Sequence, residues 1–385
     1  MMMIRKRKLF SLSLAISLLV INLLSMGAAA STDTSPQELS LEKAVELALS
    51  DNPQVELNRI TVEKAGVGKD KAESQAEKID ESKDSVASPY LNYEGAVGQY
   101  VGPRKAEMDL TLAQNKARAL EDGLKISVES KYYDVLKYQA ELKNKKLALE
   151  RAKEKLRLAE VRLEAGTVPK TDVMQAEVDA AMAEADVSRA ENTLELGWMK
   201  LNEVMGQELD EKWILSDNFN FEPLEIKLED SISQAKAKDL ELIGLWEGAA
   251  VAEASLEQAK KYYTPNVYTY REAKYSYEEA AAKLRQAEVE MELKVREANS
   301  NLISVEKSYK VLKEQLEVMR ERERLANLQY EVGMITQFQS RQVTDQLEEL
   351  EAELNGLLYK YNLLAAQFKY DVFSGGAAAQ GSAGM

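Results

Sequence analysis

The chain has 385 residues, a net charge of −15, and neither cysteine nor histidine. Without Cys there are no disulfides, no thiolate metal sites and no lipidated N-terminal cysteine; without His the commonest metal ligand and general base is gone. An acidic chain with 30% charged residues, 7% aromatics and 7 prolines is a poor nucleic-acid binder and has the composition of long helices.

Residues 1–30 read as a secretory signal peptide. Arg5, Lys6, Arg7 and Lys8 form a basic start, Leu9 to Leu24 a mostly apolar stretch, and Ala28-Ala29-Ala30 a small-residue cleavage site. A signal anchor is the competing reading. No later run reaches the roughly 18 apolar residues of a membrane-spanning helix.

Residues 31–215 read as a first repeat. It opens on a short helix whose apolar stripe, Leu41, Ala44, Val45, Ala48 and Leu49, stops at Asp51-Asn52-Pro53. A more polar helix follows to about Asp84. The stretch Ser85–Leu112 is predicted to be a strand-like insert, because Pro89, Gly95, Gly98, Gly102 and Pro103 break helices while Tyr90, Tyr93, Val97, Tyr100 and Val101 favour strand. From about Ala113 to Ala165 the chain reads as one helix, with Val128, Val135, Leu142, Leu149, Leu156 and Leu163 at every seventh position.

After a break at Gly166 a second long helix carries Val173, Ala176, Ala180, Ala183, Val187, Ala190, Leu194, Gly197, Leu201 and Val204 in alternating steps of three and four. That is a coiled-coil seam, and it is written twice. Moved by 167 residues it returns as Ser340, Val343, Leu347, Leu350, Leu354, Leu357, Tyr361, Leu364, Phe368 and Asp371, and Gly166 returns as Gly333. The chain is therefore a tandem repeat of one helical hairpin.

A linker, 216–226, carries Phe219 and Phe221, expected to pack against a helix. The second repeat, 227–373, has its own leading helix around Leu228–Leu242, offset by 187 residues, and only a minimal insert at 262–277. Its long helix carries Leu284, Met291, Ala298, Val305, Leu312, Met319 and Ala326, joined by Val295, Leu302, Tyr309, Leu316 and Tyr330. A sustained heptad implies a left-handed supercoil. At the second break Thr336 and Gln339 have capping-box spacing; at the first, Pro169 starts the helix and Asp172 faces its positive end. Residues 374–385 read as a disordered tail.

Several features have plain readings. Lys310–Arg324 is expected to be a solvated helix face with intrahelical ion pairs, and Trp198, Trp213 and Trp246 to be packing residues. Tyr262, Tyr263, Tyr268, Tyr270, Tyr275 and Tyr277 fit either an interfacial aromatic belt or ordinary packing. The carboxylates all sit in helical charge patterns, so neither catalysis, nor a cofactor, nor a metal is expected.

Three stretches, SLEKAVELALSDNP at Ser40–Pro53, RLEAGTVPKTDVMQAE at Arg162–Glu177 and YEVGMITQ at Tyr330–Gln337, within a duplicated layout over roughly residues 38–373, resemble the TolC-like outer-membrane efflux proteins. The resemblance implies a mainly α fold of long antiparallel coiled-coil hairpins in two tandem repeats. It also implies a homotrimer whose hairpins build a twelve-helix periplasmic tube, and strands that close an outer-membrane barrel. Carried over by motif, it puts a periplasmic adaptor, itself joined to an inner-membrane transporter, against Gly166, Thr167, Val168, Gly333, Met334, Ile335 and Thr336.

It also puts an entrance gate at Asp172, Gln175, Gln339 and Gln342. Family gates often carry aspartates after the second tip; here Gln339 and Gln342 flank Arg341, so a hydrogen-bonded entrance is expected rather than an acidic one. The barrel is expected to be reduced or absent, since a crossing strand needs about 9–11 residues and Thr264–Arg271 has no room for two. The function expected is an exported duct subunit for efflux or secretion, with outer-membrane or periplasmic location. The alternative is a non-pore structural or adaptor-type coiled-coil protein of the cell envelope.

Overall fold

A computed structural model of the chain describes residues 37–82 and 92–373. The chain divides into Met1–Gln37 and Glu38–Met385, and every described helix belongs to the second unit. The signal-peptide and tail readings, and the start of the expected insert, lie outside the described residues.

The leading pair of the first repeat is α1 (Leu41–Asp51) and α2 (Pro53–Ser82). Ser40 caps α1 by accepting from the Lys43 amide, and Asn52 ends it in extended backbone, as the residue before Pro53 must. A short helix, α3 (Tyr93–Tyr100), leads to the long α4 (Gly102–Glu164), which turns at the first tip into α5 (Lys170–Met205). The second repeat consists of α6 (Leu228–Lys238), α7 (Leu240–Tyr262), α8 (Tyr268–Glu331) and α9 (Gln337–Tyr370). α1 and α6 are each 11 residues long and begin 187 positions apart. At about 1.5 Å per residue, α4 with 63 residues and α8 with 64 are each roughly 95 Å long.

Both seams pack as expected. All twenty seam positions on α5 and α9 are buried or half-buried, facing α4 and α8 respectively. The two polar ones at the ends of the α9 seam are satisfied: the Ser340 hydroxyl donates to Asn327 at 2.7 Å, and Asp371 accepts from Lys238 at 2.5 Å. Tyr330 departs from the expected stripe and is exposed, because it lies in the last turn of α8 beyond the reach of α9.

The insert departs from the strand expected of it. The described part of 85–112 is helix, not strand. The Asn92 side chain accepts from the Gly95 amide to start α3, and Tyr93 sits edge-on to Tyr262 and Tyr263 at 6.2 and 5.2 Å. Gly102 and Pro103 occupy the first turn of α4, where a missing N–H does no harm. The strand-favouring side chains are overruled by these contacts, since β-propensity describes fit to a pleated surface and no sheet is offered here. In the second repeat the same place is a short turn, and Tyr268 already begins α8.

Among the described residues the only strands are β1 (Gln37–Leu39) and β2 (Trp213–Leu215), which pair at the base of the hairpins rather than in a barrel. Around them lies one of two buried clusters: Leu39, Val128, Tyr132, Val135, Leu201 and Met205 are fully buried, and the Tyr132 hydroxyl donates to the Leu39 carbonyl at 2.9 Å; the other, in the second repeat, gathers Ile232, Leu242, Val295, Leu302 and Tyr361. The linker locks the repeats together. Phe219 lies edge-on to both Tyr133 of α4 and Tyr359 of α9, which stack on each other at 4.8 Å, and Phe221 stacks on Tyr309 at 4.4 Å. Trp213 donates to Asn202 at 2.9 Å, but Trp246 is 58% exposed and is not the packing residue expected.

Candidate functional site

The two tips are built alike. At the first, Gly166 has φ +73°, its amide reaches the Leu163 carbonyl, and the Thr167 amide reaches back to Arg162, both at 2.9 Å. At the second, Gly333 has φ +76°, with Gly333 to Tyr330 at 2.9 Å and Met334 to Gln329 at 2.8 Å. These are paired Schellman bonds, which need a residue at positive φ and so favour glycine. Re-entry differs as expected. Thr336 and Gln339 form a reciprocal capping box, whereas Pro169 starts α5 without a side-chain cap.

Gly166, Thr167, Gly333, Met334 and Thr336 are exposed, and Val168 and Ile335 half-buried. Met334 is 74% exposed and Phe338, one turn on, 66%. Both tips are hydrogen-bonded, preorganised turns, and the second presents exposed apolar side chains at Met334 and Phe338.

Of the gate positions, Asp172, Gln175, Gln339 and Gln342 are all exposed, and the structure brings them only partly together. Gln339 is occupied with its cap. Gln175 donates to Asp179 at 2.8 Å, and Asp179 also takes Lys155 of α4 at 2.6 Å; these two bonds hold its carboxyl below the usual aspartate range. Gln342 lines a recess of about 240 Å³ together with Phe338, Asp179, Lys155, Arg151 and Asp345.

The bonds that tie the hairpins to each other here were not anticipated from sequence. Arg151 of α4 pairs with Asp345 of α9 at 2.6 Å, and Lys143 with Glu348 at 3.6 Å. Burial raises the Asp345 carboxyl above its ordinary value, with Arg151 opposing. No motif marks such pairs, because their partners are about 200 residues apart.

The four long helices stand in the order α5, α4, α9, α8: α4 packs on both α5 and α9, and α9 on α8. Away from the tips α6 and α7 pack on α8 and α1 packs on α5; toward the tips α5 and α8 are the lateral edges, and both expose apolar rows there. On α8 and its C-cap these are Val311, Val318, Leu325 and Val332, at every seventh position; on α5 they are Met174, Val178 and Met182. The ion pairs expected in Lys310–Arg324 do form, as in Arg320–Glu317 at 3.0 Å and Arg324–Glu321 at 2.6 Å. The face is exposed as expected, with Val311 and Val318 set among its ion pairs. Among the described residues no helix is long and apolar enough to cross a membrane.

No family model and no curated protein matches the sequence. Solved structures do match by fold. The CmeC outer membrane channel of Campylobacter jejuni is similar with a TM-score of 0.64 at 12% identity, over 86% of this chain and 85% of that one. The VceC outer membrane protein of Vibrio cholerae gives 0.55 at 14% identity, over 86% and 94%. The open-state MtrE outer membrane channel of Neisseria gonorrhoeae gives 0.52 at 14% identity, over 86% and 88%. The chain has the TolC-like fold, with helical hairpins in two repeats and, among its described residues, no barrel strands.

Proposed function

We propose that the chain is a subunit of an export duct of the cell envelope, in which three copies close a twelve-helix tube that carries solutes or polypeptides without doing chemistry on them. One observation carries this reading: toward the tips α5 and α8 form the two open edges of a four-helix wall, and each bears an exposed apolar row there. Different surfaces on the two edges make a head-to-tail contact, which closes into a ring when the rotation fits. The likeness to outer membrane channels supports closure at three and a location in the outer membrane or periplasm. The preorganised tips, the second of them apolar, suit a protein partner, here assigned as a periplasmic adaptor that links the tube to an inner-membrane transporter.

Light scattering on the purified chain tests the assembly, with the mass of three chains expected and that of one chain contradicting it. A second reading, a non-pore envelope spacer, is favoured by one feature, the helical insert where barrel strands were expected. It is separated from the first by reconstitution: the duct gives solute flux across a partition and the spacer none.

A further inference from the structure

The linker between the repeats crosses the junction of α4, α6 and α9, and residues 224–227 form one wall of a recess of about 580 Å³ there. Leu41, Ile226, Ala365 and Phe368 make its sides apolar. Glu129, Glu225, Lys227, Asp230 and Lys369 are the charged side chains that line it. The last four are exposed and cancel, so the one buried charge is Glu129, 9% exposed. Close by in the chain, Lys125 is taken by Asp122 at 2.8 Å and Lys238 by Asp371 at 2.5 Å. Asp217, whose field reaches Tyr133, adds a further negative charge.

Glu129 is poorly compensated where it sits. The Tyr370 hydroxyl donates to it at 3.5 Å, the long limit of such a bond. Lys369 acts on it only through space, its nitrogen lying over the Tyr370 ring at 5.2 Å. Asn362 and the Tyr133 hydroxyl, which also line the recess, meet each other at 3.4 Å. Burial accordingly holds the Glu129 carboxyl above its ordinary value.

A buried carboxylate without a close counter-charge is costly, and a ligand that brings a positive charge offsets that cost. Apolar walls hold the carbon part of such a ligand, whereas a hydrated inorganic ion gains nothing from them. Among the described residues no three acidic side chains gather to hold a metal ion. We propose that this recess binds a small organic cation, with its ammonium group facing Glu129 and its apolar part against Ile226, Ala365 and Phe368. The inference stands on the fold alone and does not require the duct.

Calorimetric titration of the full chain with benzyltrimethylammonium, and with benzyl alcohol and benzoate at the same ionic strength, tests the site. The cation is expected to bind saturably, one per chain, and the neutral and anionic analogues are not. Glu129→Gln removes a charge that burial disfavours, so the variant folds; it is expected to weaken the cation about tenfold or more, and Glu129→Asp, which keeps the charge, to weaken it less. Glu317→Gln, the same change at an exposed acid outside the recess, leaves the affinity within about twofold. No saturable binding of the cation, equal binding of benzyl alcohol or benzoate, or an affinity unchanged in Glu129→Gln overturns the proposal. Uptake of many cations per chain that survives Glu129→Gln also overturns it and assigns the binding to the acidic surface.

Discussion

Arg151 and Asp345 meet at 2.6 Å across the two hairpins, each about a third exposed, and the Asp345 carboxyl is raised by burial. The two ends of this bond are therefore not equivalent. Arg151→Ala leaves a partly desolvated carboxylate behind and is expected to cost about 1 kcal/mol at neutral pH. The loss disappears as acid protonates Asp345. Asp345→Asn, which removes the charge that burial disfavours, is expected to cost less at neutral pH. Urea unfolding of both variants across pH checks the order.

Gly206 and Gly166 both sit at φ +73°, yet their surroundings differ. A Cβ on Gly206 would lie 2.5 Å from the Asp51 carbonyl oxygen, where the corner between α1 and α2 docks; a Cβ on Gly166 would meet nothing within 4 Å. Gly166→Ala is expected to cost about 1–2 kcal/mol from backbone strain alone, and Gly206→Ala about 2–4 kcal/mol because the Asn52–Val204 contact of 2.9 Å must also give way. Bulky residues at Gly166 and Gly333 should abolish adaptor pull-down while leaving the circular dichroism of the helices intact.

Within the first seam Gly197 admits the Tyr138 ring, whose Cδ2 would lie 2.7 Å from an added Cβ. Gly197→Ala is expected to lose about 1–3 kcal/mol. Tyr138→Leu should recover much of it, and a double-mutant cycle that finds the two changes additive would separate them.

Stability should also respond to pH in two opposite ways. Lys155 and Gln175 depress Asp179, so their contribution is present above the ordinary aspartate value of 3.8 and is lost as pH falls below it. Glu129 is buried and raised, with Lys369 and the Tyr370 hydroxyl opposing, so it favours folding when protonated and opposes it as pH rises. Glu129→Gln is therefore expected to stabilise the chain near neutral pH and to match the parent in acid. Thermal melts of the two proteins from pH 3 to 8, roughly the carboxylate-to-neutral span, measure the crossover.

The hairpins, both tips and the leading helices were legible because each rests on local periodicity or on a glycine at a helix end. The 187-residue offset that is faint in composition is the spacing between the starts of α1 and α6. What was not legible rests on contacts between distant segments. Tyr93 and Val97 look like strand until Tyr262 and Tyr263 are placed beside them, and Arg151 gives no hint of Asp345. The row Val311, Val318, Leu325, Val332 was in the sequence, but it lies among ion-paired residues and one step from the stronger seam at Leu312 and Met319, which masks it.

The edges themselves offer the most direct measurement. Counting about equally far from Gly166 and Gly333 sets Met182 of α5 near the height of Val318 of α8. A chain carrying Met182→Cys and Val318→Cys, with no other cysteine, is oxidised and its mass read under denaturing conditions. A covalent ladder that stops at three chains is the expected result. Disulfides formed only within single chains, or a ladder that continues past three, would contradict a closed tube.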